Sequence, residues 1–136
     1  MLGRALVRSQ IACAKKVVPE IVAMLPHDPG AFTQGLALSA GELYESTGIA
    51  GQSTLRRLCT NSGAVLESLA MPSDVFAEDI TALDGKLFQL TYKNRRVLSY
   101  QTHPFTLQET FSLPQEGWGL AAWNGGLLAS DGSHRL

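Results

Sequence analysis

The sequence predicts an all-β fold of the β-propeller type, and three observations carry that prediction. The stretch Phe76 to Lys93 (FAEDITALDGKLFQLTYK) reads as strand, tight turn, strand: Ile80 and Leu83 precede Asp84-Gly85, and Leu87, Phe88 and Leu90 follow. Gly85 supplies the positive φ that a two-residue hairpin turn requires. The same pattern returns at Gly35 to Gly48 (GLALSAGELYESTG) and at Trp118 to Ser133 (WGLAAWNGGLLASDGS), with Leu43, Leu87 and Leu127 spaced by 44 and 40 residues. A second hairpin interleaves with the first: Leu55–Leu66 turns at Asn61-Ser62-Gly63, and Val97–Leu107 turns at Thr102-His103-Pro104. Four short strands per ~40–45 residues is the period of a propeller blade. Paired-helix solenoids share the period, but turn residues recur here every ~8–12 positions and no helical periodicity is sustained.

Residues 1–18 carry Arg4, Arg8, Lys15 and Lys16 and no acid. That composition faintly resembles an organellar transit peptide, and the plainer reading, a frayed tail or an altered start site, is favoured over it. Its apolar runs fall short of the ~7–15 residue core of a secretory signal, so the compartment stays open. Residues 19–136 are expected to be the partial propeller domain. Within it, Ile21, Ala23 and Leu25 alternate with Val22 and Met24 as a buried strand would. Pro26-His27-Asp28-Pro29-Gly30 then forces a turn, since proline cannot donate to a ladder.

The chain has 136 residues, 45% of them hydrophobic, and a net charge of −1 from 11 basic and 12 acidic side chains. This balance, with no basic block, excludes an electrostatic case for nucleic acid or an anionic membrane. No apolar run approaches the ~18 residues of a spanning helix, and a soluble chain is expected. Cys13 and Cys59 have no metal-ligand spacing and read as free thiols. About two and a half blades fit in this length, whereas closed propellers use roughly four to eight. Unpaired strand edges and exposed blade faces in such an arc favour self-association.

The ordered motifs PHDPGAFTQGL (Pro26–Leu36), GELYESTG (Gly41–Gly48), STLRRL (Ser53–Leu58), FAEDIT (Phe76–Thr81), LFQLTYK (Leu87–Lys93), EGWGL (Glu116–Leu120) and SDGS (Ser130–Ser133) resemble the plant and bacterial type of glutaminyl-peptide cyclotransferase. The resemblance runs from about Pro19 to Leu136. It implies a five-bladed propeller of which this chain matches the N-terminal portion. It also implies an enzyme that needs no metal or organic cofactor and converts the N-terminal glutamine of peptides or proteins to pyroglutamate with release of ammonia.

That chemistry needs a proton moved from the amine to the leaving nitrogen, a stabilised oxyanion and a glutamine held curled. By the resemblance, Glu78 is the catalytic proton carrier, and Gln34, Tyr92 and Trp118 bind substrate. Ordinary strand alternation would put Glu78 on one face with Phe76 and Ile80, where apolar neighbours raise a carboxyl pKa. The bland alternative is a solvated glutamate beside Asp79. The family usually flanks this glutamate with glycines; Ala77 and Asp79 stand there instead, and a nearby Asp79 would push the Glu78 pKa further up. Gln34 has the alternative of satisfying a turn, and Trp118 that of packing between blades. Tyr92 replaces a common family tryptophan. Trp123 and Lys93 read as packing and surface residues, SDGS as a hairpin turn, and His27, His103 and His134 as turn residues without ligand spacing. A rival reading from another class is a catalytically inactive propeller fragment that binds peptides or proteins. A third, a sugar- or cofactor-binding propeller enzyme, requires a metal cluster that the sequence does not offer.

Overall fold

A computed structural model describes residues 16–136, and among them ten strands and no helix are found. Blade 1 is β1 (Thr33–Ser39), β2 (Glu42–Thr47), β3 (Thr54–Leu58) and β4 (Val65–Ala70), hydrogen-bonded in that order. Blade 2 repeats it with β5 (Ala77–Leu83), β6 (Lys86–Thr91), β7 (Arg96–Thr102) and β8 (Phe105–Ser112). A third unit holds the hairpin of β9 (Gly119–Trp123) and β10 (Gly126–Ser130). All pairings are antiparallel. The expected all-β repeat appears among the described residues as sheets of four, four and two strands.

The first hairpin of each unit closes through two residues of positive φ: Ala40 and Gly41 (49° and 82°), Asp84 and Gly85 (50° and 74°), Asn124 and Gly125 (49° and 73°). This is the type I′ turn, whose twist matches that of the strands it joins. The turns stand at one end of the molecule, and the N-terminal ends of β1, β5 and β9 stand at the other. Those three strands lie side by side, β1 against β5 and β5 against β9, as the innermost strands of successive blades.

The core lies in the seams between blades. Tyr44 and Leu55 of blade 1 meet Ile80, Leu87, Leu98 and Tyr100 of blade 2 in one cluster. Leu90 and Val97 of blade 2 meet Leu120 of β9 in a second. A buried polar chain crosses the first seam: Tyr100 OH donates to Gln89 Oε1 (2.8 Å), Gln89 Nε2 donates to Ser46 Oγ (2.8 Å), and Ser46 Oγ donates to the carbonyl of Glu78. Buried polar groups linked in this way specify one relative placement of the elements that carry them.

The structure corrects four expectations. The run Ile21–Leu25 is not a strand; it is extended and exposed, with Ile21, Val22 and Met24 largely in solvent. Alternation alone does not make a strand, which needs a partner ladder, and here the segment meets blade 1 only at its end, where Leu25 and Pro26 lie against Gly63 and His27 and Asp28 reach Glu45 and Arg56. The SDGS stretch is not a hairpin turn. Ser130 ends β10, and Asp131 Oδ1 accepts from Ser133 N–H at 2.9 Å in an Asx turn. Trp123 is exposed rather than packed. The fourth concerns the face on which Glu78 lies, described below. Cys59 is a free thiol; Cys13 and most of the basic tail lie outside the described residues.

Candidate active site

The N-terminal ends of β1 and β5 share an irregularity. In β1, Thr33 pairs with Thr47 and Gly35 with Ser46, so Gln34 is the extra residue of a bulge. In β5, Ala77 pairs with Thr91 and Ile80 with Gln89, so Glu78 and Asp79 together stand opposite Leu90. Bulges re-aim side chains, and they gather near functional sites. The bulge also overturns the simple alternation: Ala77 and Ile80, three residues apart, are the buried pair, and Glu78 is not on the face of Phe76 and Ile80 by ordinary strand parity.

Gln34, Glu78 and Trp118 are separated by 44 and 40 residues, the intervals of the repeat itself. The three therefore hold one blade position, at one end of three adjacent innermost strands. Gly48, Tyr92 and Gly132 share a second position at the same intervals. At the two glycines a Cβ would lie 2.6 Å from the Phe76 ring and 3.2 Å from the Trp118 ring. The space a side chain would fill there is taken by aromatic rings.

Those rings form a continuous edge-to-face string across the blades. Phe32 meets Phe76 at 6.2 Å between centroids, Phe76 meets Tyr92 at 6.1 Å, and Tyr92 meets Trp118 at 5.9 Å, with interplanar angles of 84°, 68° and 85°. Such geometry is favourable beyond the area it buries. Lys93 Nζ sits 5.3 Å above the Tyr92 ring. Trp118 remains 51% exposed, so it is not buried between blades. Gln34 belongs to the same surface, its Nε2 only 3.0 Å from the position a Cβ on Gly48 would take.

Glu78 is half-buried. Burial first, and the charge of Asp79 second, push its carboxyl up to about 7. A carboxyl of that strength both accepts and donates a proton near neutrality. Its main-chain carbonyl is held by Ser46 from blade 1, which anchors one side of the bulge.

A second polar cluster was not singled out from the sequence. Glu45, 1% exposed, receives hydrogen bonds from Thr33 Oγ1 (2.5 Å) and pairs with His27 Nε2 (2.7 Å), and Arg56 Nη1 lies 3.7 Å from it. Arg56 also binds Asp28 at 2.9 Å. Glu45 and Arg56 are cross-strand partners in β2 and β3, and an acid and a base in facing repeat strands were the available signal. The cluster fastens the PHDPG segment to blade 1. An apolar cavity of about 330 Å³ opens elsewhere, between β4 and the β7–β8 hairpin, lined by Leu69, Met71, Val75, Leu98 and Phe105. It lies away from Gln34, Glu78 and Trp118 and has no acid among its walls.

A sequence model of the glutamine cyclotransferase family matches residues 2–136. A glutaminyl-peptide cyclotransferase of Arabidopsis thaliana is 36% identical over 119 residues, covering 86% of this chain and 37% of the relative. The crystal structure of Myxococcus xanthus glutaminyl cyclase superposes with a TM-score of 0.75 at 35% identity, over 83% of this chain and 47% of that one. A luciferin-regenerating enzyme shares the fold alone, at a TM-score of 0.55 and 16% identity, over 74% of this chain and 37% of that one. The chain thus spans less than half the length of these relatives. With a family match along nearly its whole sequence, the chain belongs to the glutamine cyclotransferase family.

Proposed function

We propose that the polypeptide carrying these blades cyclises the N-terminal glutamine of peptides or proteins to pyroglutamate. The observation that carries this reading is the single blade position shared by Gln34, Glu78 and Trp118 at one end of the innermost strands, with a carboxyl of near-neutral strength in its middle.

In the reaction the α-amine nitrogen bonds to the substrate's side-chain amide carbon. The bond from that carbon to the amide nitrogen then breaks, and ammonia leaves. One proton must pass from the attacking amine to the departing nitrogen, and Glu78 takes it and returns it. A carboxyl that titrates at about 7 matches both halves of the transfer. Gln34 offers an amide that donates to the substrate carbonyl or accepts from its nitrogen. Trp118 and Tyr92 are rigid walls against which the flexible side chain folds, which lowers the entropic cost of ring closure.

The test is pyroglutamate formation by the complete natural polypeptide on a glutaminyl peptide, followed by ammonia release, with Glu78→Gln as the variant. Loss of turnover in a folded variant supports the reading. Unchanged turnover removes Glu78 from the mechanism.

A further inference from the structure

Asp79 holds the blade position that glycine holds on either side, Gly35 in β1 and Gly119 in β9, at the same 44- and 40-residue intervals. Both glycines make room for it. A Cβ on Gly35 would fall inside the contact envelope of Asp79 Oδ1 and lie 2.7 Å from the Ile80 nitrogen. A Cβ on Gly119 would lie 3.9 Å from Asp79 Oδ2. Each carboxylate oxygen is used. Oδ1 accepts from Ile80 N–H on its own strand at 2.8 Å, and Oδ2 accepts from Leu120 N–H on β9 at 2.8 Å. One side chain thus ties β5 to β9 and packs against β1.

Resting on the reading of Glu78 as proton carrier, we propose that Asp79 is the positioning residue for Glu78: it locks the β5 bulge to the next blade and fixes a negative charge beside the working carboxyl. Two carboxyl groups on consecutive residues of a bulge cannot separate as they would on opposite faces of a regular strand. The other charged groups near β5 are engaged or distant. β1 and β9 carry no titratable side chain. On β2, Glu45 is held by His27 and Arg56, and Glu42 by Tyr44, Arg57 and His103. On β6, Lys86 stands at the turn end, away from the bulge. Beyond β6, Lys93 lies over the Tyr92 ring. Glu116 stands in the loop before β9, Asp74 in the loop before β5 accepts from Asn94, and Asp131 after β10 accepts from Ser133 N–H.

The experiment is a carbon-13 NMR titration of the Glu78 carboxyl in the glutamate-labelled complete polypeptide, assigned by its absence in Glu78→Gln. In Asp79→Asn, close in volume and without the charge, the Glu78 midpoint is expected to fall by roughly one unit while staying above that of an exposed glutamate, because burial persists. In Asp79→Gly, which restores the residue of the neighbouring blades, exchange of the Leu120 amide is expected to quicken by roughly tenfold or more. An unmoved Glu78 midpoint in Asp79→Asn, or an unchanged Leu120 exchange rate in Asp79→Gly, overturns the proposal. The acid limb of the cyclisation rate should follow the NMR midpoint. Absence of turnover in the unmodified protein, with both NMR effects present, would refute the cyclase reading and leave the Asp79 tie standing.

Discussion

β1 and β5 have the same length, the same turn at one end and a bulge at the other, yet one repeat position has opposite fates in them. Ile80 of β5 is 3% exposed, and Leu36 at the matching position of β1 is 58% exposed. Leu120, the third member, is 7% exposed. The local sequence is equivalent; the neighbour is not. Ile80 lies against blade 1 and Leu120 against blade 2, whereas Leu36 faces away from both. A blade's core is therefore completed by the blade before it, and a residue's burial is a property of the seam rather than of the strand. The chemistry follows the same division. Glu78 sits in a strand with a neighbour on each side and titrates near neutrality, while Gln34, its counterpart, stands on the strand with one open flank.

The largest expected effect tests the functional half of this contrast. In the complete polypeptide, Glu78→Gln lowers the rate of pyroglutamate formation by about 10²–10⁴-fold, the scale of a lost general acid–base group. Gln34→Ala, which removes only the proposed binding amide, is expected to leave more activity than Glu78→Gln in the same ammonia-release assay.

The structural half is tested by a matched pair. Ile80→Ala should cost about 2–5 kcal/mol in denaturant unfolding, as a buried aliphatic side chain does. Leu36→Ala should cost within about 0.5 kcal/mol. Equal costs would mean that the outer face of β1 is covered in solution and would remove the contrast.

A covering by further copies is itself the next expectation. Leu36 and Leu38 on β1, and Trp123 and Leu127 on the last hairpin, are exposed apolar groups on the two flanks of the arc. The 136-residue chain expressed alone should scatter light as a species heavier than its 14.6 kDa and show no cyclase turnover, since its site is open on one side. Leu36→Lys combined with Leu38→Lys should reduce the scattering mass. A monodisperse monomer with clear turnover would show that three innermost strands suffice for the site.

The smallest effect is a pH dependence. The folded Glu78 titrates at about 7, against a reference value of 4.5, so the folded chain binds that proton more tightly than the unfolded chain. The resulting stabilisation is complete below pH 4.5 and is lost as pH rises through 7. Relative to the unmodified protein, Glu78→Gln should therefore gain a few degrees of Tm between about pH 4.5 and 8. A Tm difference that stays flat with pH would place Glu78 in ordinary solvent.

Much of this was legible because the turns are punctuated. Gly41, Gly85 and Gly125 recur in phase, and each marks a hairpin, so the repeat and the three innermost strands could be read directly. Gln34, Glu78 and Trp118 were legible by family resemblance, and their shared blade position was already implicit in the spacing. The bulges were not. No residue type announces that Glu78 and Asp79 will both stand opposite Leu90, and simple alternation put Ile80 on the face of Glu78 when it shares the buried face of Ala77. The segment Ile21–Leu25 misled for the converse reason: it has a strand's pattern without a partner. The Glu45–His27–Arg56 cluster was missed because its meaning depends on which face of β2 is covered.

The type I′ turns have a practical consequence. At Gly41, Gly85 and Gly125 an added Cβ would meet no atom within 4 Å, and all three turns lie at the end of the arc remote from the aromatic string. One rim is a crowded mosaic of rings, bulges and backbone ties, and at the opposite rim the three hairpin turns stand clear of neighbouring atoms. A fluorophore, affinity tag or tether placed at the turn rim would report on the molecule, or anchor it to a surface, with the aromatic rim pointing outward.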